Sequence, residues 1–323
     1  MMSNNDTVRQ QTEGGHQYIW LIRYGRTDPP LLENIGNYDS DLHDEGVSHA
    51  EAVAGRLASG HGESSSPGDS VPKIIYSDPF LRCMRTADVI VNTLNDIASC
   101  STSRSHCGQS KLKIRIESGT TEWQVPSLLV DKDGQRTHPR SMVELVKLFP
   151  DTIDRDYRSV NPEGPDRTAS NEEGDDEQAN GDTSSIYPPR FPETEEQLHR
   201  RCQCTIRRIL ADVGDTDSFA IVGHAPCVQS MALALMGGGK PEEIPELGPW
   251  SLGGMTLFSR PIGADRSSIC RAVNSEGKGK GDVNSDKWTL DMYSSTSHMP
   301  GEYKDGKLGR WSLPSFDRRN AYM

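Results

Sequence analysis

Hydrophobic residues in this chain gather into short runs separated by long polar stretches. Ile19-Trp20-Leu21-Ile22, Lys73-Ile74-Ile75-Tyr76, Phe219-Ala220-Ile221-Val222 and Met255-Thr256-Leu257-Phe258 are apolar on both faces for most of their length. Runs of that size, closed by glycine or turn residues, read as strands buried in a sheet. Residues 113–117 alternate and predict a further strand. Between the runs the period changes. Ala50, Val53, Ala54 and Leu57 recur at helical spacing, with Asp44 or Ser48 as the candidate cap. Residues 87–97 continue as a helix. Phe191-Pro192-Glu193-Thr194-Glu195 has the Pro and acids of a helix start, and Ile206, Ile209 and Leu210 carry that helix on. Pro226 starts another, with Val228, Met231, Ala232 and Leu235 on its apolar side. Such runs and helices describe an α/β domain.

The polar stretches divide the chain. Residues 1–17 are expected to be a flexible N-terminus and 18–299 one domain, with 300–323 as a C-terminal tail. Residues 161–183 hold eight Asp or Glu, one Arg and no aliphatic side chain larger than Ala. Such a segment cannot bury enough apolar surface to order itself. It predicts a disordered acidic insertion over about 159–186, and residues of about 261–284 predict a polar loop. There is no internal repeat.

Composition narrows the partners. The 323 residues carry a formal net charge of -12, and the mean hydropathy is -0.66. An acidic surface argues against nucleic acid or an anionic membrane as the main partner, while leaving room for a local basic pocket. No run approaches membrane-spanning length and the N-terminus has no apolar core, so a cytoplasmic protein is expected, with the nucleus as the alternative. The seven Cys are odd in number and scattered, which reads as reduced thiols. Cys202-Gln203-Cys204 is too closely spaced for the usual two-Cys zinc knuckle. No metal and no cofactor are expected.

Candidate chemistry stands where the strands end, the edge at which open α/β sheets bind ligands. The first run leads into Arg23-Tyr24-Gly25-Arg26-Thr27. Two guanidiniums around a glycine suit an anion, because Arg presents a planar, permanently charged fork to phosphate oxygens. The second leads into Ser77-Asp78-Pro79-Phe80-Leu81-Arg82-Cys83-Met84-Arg85-Thr86-Ala87. The alternating strand is followed by Ser118-Gly119-Thr120-Thr121-Glu122-Trp123, and a later strand ends in Gly223-His224-Ala225. Taken singly, the arginines read as surface ion pairs, His224 as a satisfied polar residue and Glu122 as a solvated carboxylate. Their ordered recurrence in four segments is more specific.

In that order the segments resemble the histidine phosphatase (phosphoglycerate-mutase-like) superfamily. Its strand end reads Arg-His-Gly-Glu/Gln-Thr, its helix start Ser-x-Pro-Leu-x-Arg-Ala-x-Gln-Thr-Ala, its third element Leu-x-Glu-Trp, and a second His motif follows. The resemblance spans about residues 18–299. It implies a three-layer α/β/α sandwich around a mostly parallel sheet, with Trp288-Thr289-Leu290 near the last edge strand. It implies phosphate-binding roles for Arg23, Arg82 and His224, and makes Glu122 the proton donor to the leaving group. Asn34 and Glu193 would lie at the pocket. Arg85 stands where Gln is usual and takes no role from the family; Thr120 replaces Leu.

Position 24 departs most. The family's nucleophilic His is here Tyr24. A phenol with a pKa of about 10 is mostly neutral at pH 7 and is a poor nucleophile unless activated. Its longer ring also shifts the reactive atom by about an ångström or more, and near-attack geometry tolerates little of that. The expected function is therefore a phosphatase-fold protein that binds a phosphorylated small molecule or phosphoprotein and has lost most or all turnover. One rival is an active phosphomonoesterase using Tyr24 or water. A second is an interaction protein with a relic pocket.

Overall fold

A computed structural model describes residues 15–27, 39–60, 70–101, 111–130, 134–160, 189, 191–214, 217–237, 247–262, 288–306 and 309–316. Six strands form one sheet in the order β3-β2-β4-β1-β5-β6. They are β1 (His16–Arg23), β2 (Ile74–Ser77), β3 (Ile114–Ile116), β4 (Phe219–Gly223), β5 (Met255–Pro261) and β6 (Thr289–Ser295). The first four in sequence pair in parallel: β1 with β4, β4 with β2, and β2 with β3. β5 runs antiparallel to β1, and β6 antiparallel to β5. The sheet is mostly parallel, as the apolar-on-both-faces runs require.

Both faces are covered. Period-two alternation sends Tyr18, Trp20, Ile22 and Tyr24 to one side, where they meet α1 (Asp44–Ala58) and α2 (Leu81–Ser101) through Val53, Leu57, Met84 and Ile90. Ile19 and Leu21 go to the other side. There they meet α5 (Glu195–Val213) and α6 (Ala225–Leu235) through Leu198, Ile206, Val228 and Met231. Burying each such aliphatic side chain contributes about 1.5–3 kcal/mol relative to leaving it in water. The result is a three-layer α/β/α sandwich.

Helix ends explain local choices. His43, rather than Asp44 or Ser48, caps α1, its Nδ1 accepting from the Glu45 N–H at 3.2 Å. Thr194 and Gln197 form a capping box at the start of α5. Pro226 sits in the first turn of α6, where a missing N–H costs nothing. Two short helices, α3 (Pro126–Leu129) and α4 (Met142–Leu148), were not read from the sequence. The Ser141-x-x-Glu144 capping box of α4 is the signal that marks it.

Described residues on either side of the expected 18–299 span also pack against the sheet. β1 begins at His16, and Gln17 is buried with its amide on the Gly214 and Asp217 carbonyls. Beyond Met299, Trp311 pairs its backbone with Trp250, and Leu313 is fully buried. Tail residues pack because they carry apolar side chains next to a sheet edge. The acidic insertion and the greater part of the polar loop lie outside the described residues. Among the described residues no helix is long and apolar enough to cross a membrane, and Cys83, Cys100, Cys202, Cys204 and Cys227 are free thiols.

Candidate functional site

The parallel pairings bring the ends of β1, β4 and β2 side by side. Tyr24 donates its N–H to the Gly223 carbonyl (3.3 Å), and Asp78 donates to Val222 O (3.0 Å). His224 therefore emerges between Tyr24 and Asp78. The turn after β1 runs hard against α1: a Cβ on Gly25 would lie 2.5 Å from Gly46 O, and one on Gly46 would lie 2.0 Å from Arg26 O. Glycine is required at both positions by that close approach. Thr86 ties α2 to the same turn, accepting from Gly25 N–H (3.2 Å) while donating to Arg82 O (2.8 Å).

Three of the expected site residues meet, with two more that the sequence reading had not assigned. Nδ1 of His224 lies 2.7 Å from Oε2 of Glu122. Arg82 Nη2 lies 3.4 Å from the same oxygen and 3.3 Å from His224 Nδ1. On the other side of the ring, Nε2 faces Cys83 Sγ at 3.4 Å and Asp78 Oδ2 at 3.3 Å. The five residues come from β2, α2, β4 and the turn after β3, and each is buried. Only the tertiary fold unites them; Asp78 and Cys83 are contiguous with the Arg82 segment and were visible there as polar groups.

Tyr24 closes the cluster. Its ring is edge-on to His224 with centroids 5.2 Å apart, and the guanidinium carbon of Arg82 lies 5.2 Å from its centre. Burial of the ring is nearly complete at 3 % exposure. An aromatic ring thus fills the end of β1 where the resemblance places a nucleophilic imidazole.

Arg23 is placed differently from Arg82. One residue before Tyr24 on the strand, it leans toward the opposite face. Its Nη1 donates to the carbonyls of Trp250 (2.6 Å) and Gly309 (2.5 Å). The guanidinium carbon still lies 5.5 Å from the Tyr24 ring centre, at the rim of the cluster. Glu193 is taken up by Arg201, which the sequence reading did not single out. Nε and Nη2 of Arg201 donate to Glu193 Oε1 and Oε2, both at 2.7 Å, and Nη1 donates to the carbonyls of Gly119 and Thr121, both at 2.9 Å. This ion pair holds the turn that carries Glu122. Arg85 pairs with Asp41. Asn34 lies outside the described residues.

Charge in the cluster is internally balanced. Burial alone would raise the Glu122 carboxyl, but the His224 charge and hydrogen bond, with Arg82 and the Trp123 N–H, hold it at about 2. It is a carboxylate at neutral pH, whereas a proton donor needs a raised value. Burial pulls His224 down, yet Cys83, Glu122 and Asp78 around the ring outweigh it and lift the imidazole well above its usual range. Burial pushes the Cys83 thiol up to about 11 against the pull of His224. Two cations, Arg82 and His224, thus face two carboxylates, Glu122 and Asp78.

No protein-family model matches the chain, and no curated protein does. Among solved structures it is similar to a mycobacterial glucosyl-3-phosphoglycerate phosphatase, at 16 % identity and a TM-score of 0.45 over 86 % of this chain and 99 % of that one. A phosphoserine phosphatase from Entamoeba histolytica gives 16 % identity and a TM-score of 0.44, over 88 % of this chain and all of that one. Likeness this distant says nothing about activity.

Proposed function

We propose that this chain is a histidine-phosphatase-fold protein with lost or much reduced turnover, which retains Arg82 and His224 as the anion-binding pair for a phosphate-bearing ligand or partner. One observation carries the proposal: a buried tyrosine ring stands at the β1 end, beside the arginine and histidine that the resemblance assigns to phosphate. Without an imidazole there, the covalent half of the chemistry has no group to perform it, while charge neutralisation and positioning remain available. Glu122, held as a carboxylate between His224 and Arg82, supports the loss of general-acid catalysis as well. Phosphate binding then proceeds by exchange. The incoming anion takes the place of the Glu122 carboxylate on Arg82 and His224.

The same charge balance favours a second reading, a relic pocket whose cations serve only their own carboxylates. Thermal shift with phosphate and vanadate separates the two. The binding reading expects stabilisation by both anions and its disappearance in Arg82→Ala, since a charge-assisted contact of this kind contributes about 1.5–3 kcal/mol. No shift at any anion concentration favours the relic.

A further inference from the structure

We propose that Asp78, Cys83 and His224 form a binding site for one divalent metal ion of the zinc class. One ligand atom from each of Asp78, Cys83 and His224 lies within 4.8 Å of the other two, and all three residues are buried. They converge from the end of β2, the first turn of α2 and the end of β4. From Nε2 the sulfur is 3.4 Å away and the carboxylate oxygen 3.3 Å. Tetrahedral zinc, with bonds of about 2.0–2.3 Å, sets an N···S edge of roughly 3.6 Å and an N···O edge of roughly 3.4 Å. The two edges at Nε2 already have nearly the dimensions of neighbouring ligand positions.

Nε2 holds at most one hydrogen, and two groups face it. Asp78 Oδ1 accepts the Phe80 N–H at 2.6 Å, whereas Oδ2 is buried and accepts no hydrogen bond among the described residues. A buried carboxylate oxygen that shares a single imidazole N–H with a sulfur is poorly satisfied. A metal ion engages Nε2, Sγ and Oδ2 together. Its two positive charges balance one thiolate and one carboxylate around a neutral imidazole, so the buried set carries no net charge. The thiol proton of Cys83 and the Nε2 proton of the His224 imidazolium both leave to solvent as the metal binds.

The far side of the ring is arranged to match. Nδ1 meets the Glu122 carboxylate at 2.7 Å, the outer contact by which metal-bound histidines are oriented, and this leaves Nε2 to face the metal. A thiolate, an imidazole and one carboxylate suit zinc, while magnesium and calcium prefer oxygen alone. Three protein ligands leave a fourth position to water. This site stands on the three ligand atoms and does not depend on phosphate binding.

The test loads purified full-length protein with Zn²⁺ or Co²⁺, desalts it, and measures retained metal by mass spectrometry and the cobalt absorption spectrum. The expected result is about one equivalent per chain and a thiolate-to-cobalt charge-transfer band. Both should be lost in Cys83→Ala and retained in Cys202→Ser and Cys204→Ser. Asp78→Asn, nearly isosteric, gives a second variant, and circular dichroism confirms that each is folded. Failure of the parent chain to retain metal overturns the proposal. So does a thiolate band that survives in folded Cys83→Ala.

Discussion

Two buried ionic clusters hold the same turn, residues 117–124, and they differ in how completely they are satisfied. In the first, Arg201 meets both oxygens of Glu193 at 2.7 Å and two backbone carbonyls at 2.9 Å. In the second, Arg82 Nη2 lies 3.4 Å from Glu122 and 3.3 Å from His224, and Asp78 Oδ2 faces His224 Nε2 at 3.3 Å but accepts no hydrogen bond among the described residues. A bidentate pair with its remaining donors on carbonyls is a strut. A cluster gathered around one imidazole, in which one carboxylate oxygen accepts no hydrogen bond among the described residues, is an arrangement that a ligand can complete. The turn is thus anchored by one cluster so that Glu122 can serve the other.

Removing one partner of each cluster breaks the comparison most directly. Arg201→Ala strands a buried carboxylate and uncaps two carbonyls, and should cost about 3–5 kcal/mol in chemical denaturation. Arg82→Ala leaves Glu122 still on His224 and should cost about 1–3 kcal/mol. Equal losses in the two variants would contradict the distinction.

Acid titration sharpens it. The Glu122 carboxyl lies at about 2 in the folded chain against a usual 4.5. Because that value is depressed on folding, its stabilisation is fully present above pH 4.5 and is lost as pH falls toward 2. The total is about 3 kcal/mol at most. His224 is shifted the other way, so its share is present below its ordinary value of 6.5 and lost as pH rises through the raised one. Glu122→Gln should flatten the acid limb of melting temperature against pH below 4.5; an unchanged limb would place the titrating group elsewhere. The smallest effect concerns the helix that delivers Arg201. Thr194→Ala removes one side of the α5 capping box and should cost about 1 kcal/mol, while leaving any vanadate-induced thermal shift unaltered.

How much of this was legible in the sequence follows from what each feature depends on. The strands around Leu21, Ile75 and Ile221, and the helices after Asp44 and Pro226, are local patterns of apolar residues, and the structure has them within a few residues. Arg82, Glu122 and His224 were singled out in the segments that follow three strands, and the fold brings the three side chains together. Arg23 was grouped with Tyr24 as an anion ligand, yet strand alternation turns it toward Trp250 O. Glu193 was placed at the pocket, and Arg201, eight residues on and two helical turns away, takes its carboxylate instead. That pairing needs the loop geometry before α5, which no local pattern specifies. Cys83 was not singled out in the sequence, and its approach to His224 depends on how α2 meets β4.

Tyr24 carries the central claim, and one substitution addresses it. Tyr24→His should raise aryl-phosphatase activity well above that of the parent chain and yield an acid-labile phosphoenzyme, while Tyr24→Phe should change little. A parent protein with substantial turnover that Tyr24→Phe abolishes would contradict the claim and make the phenol a working group.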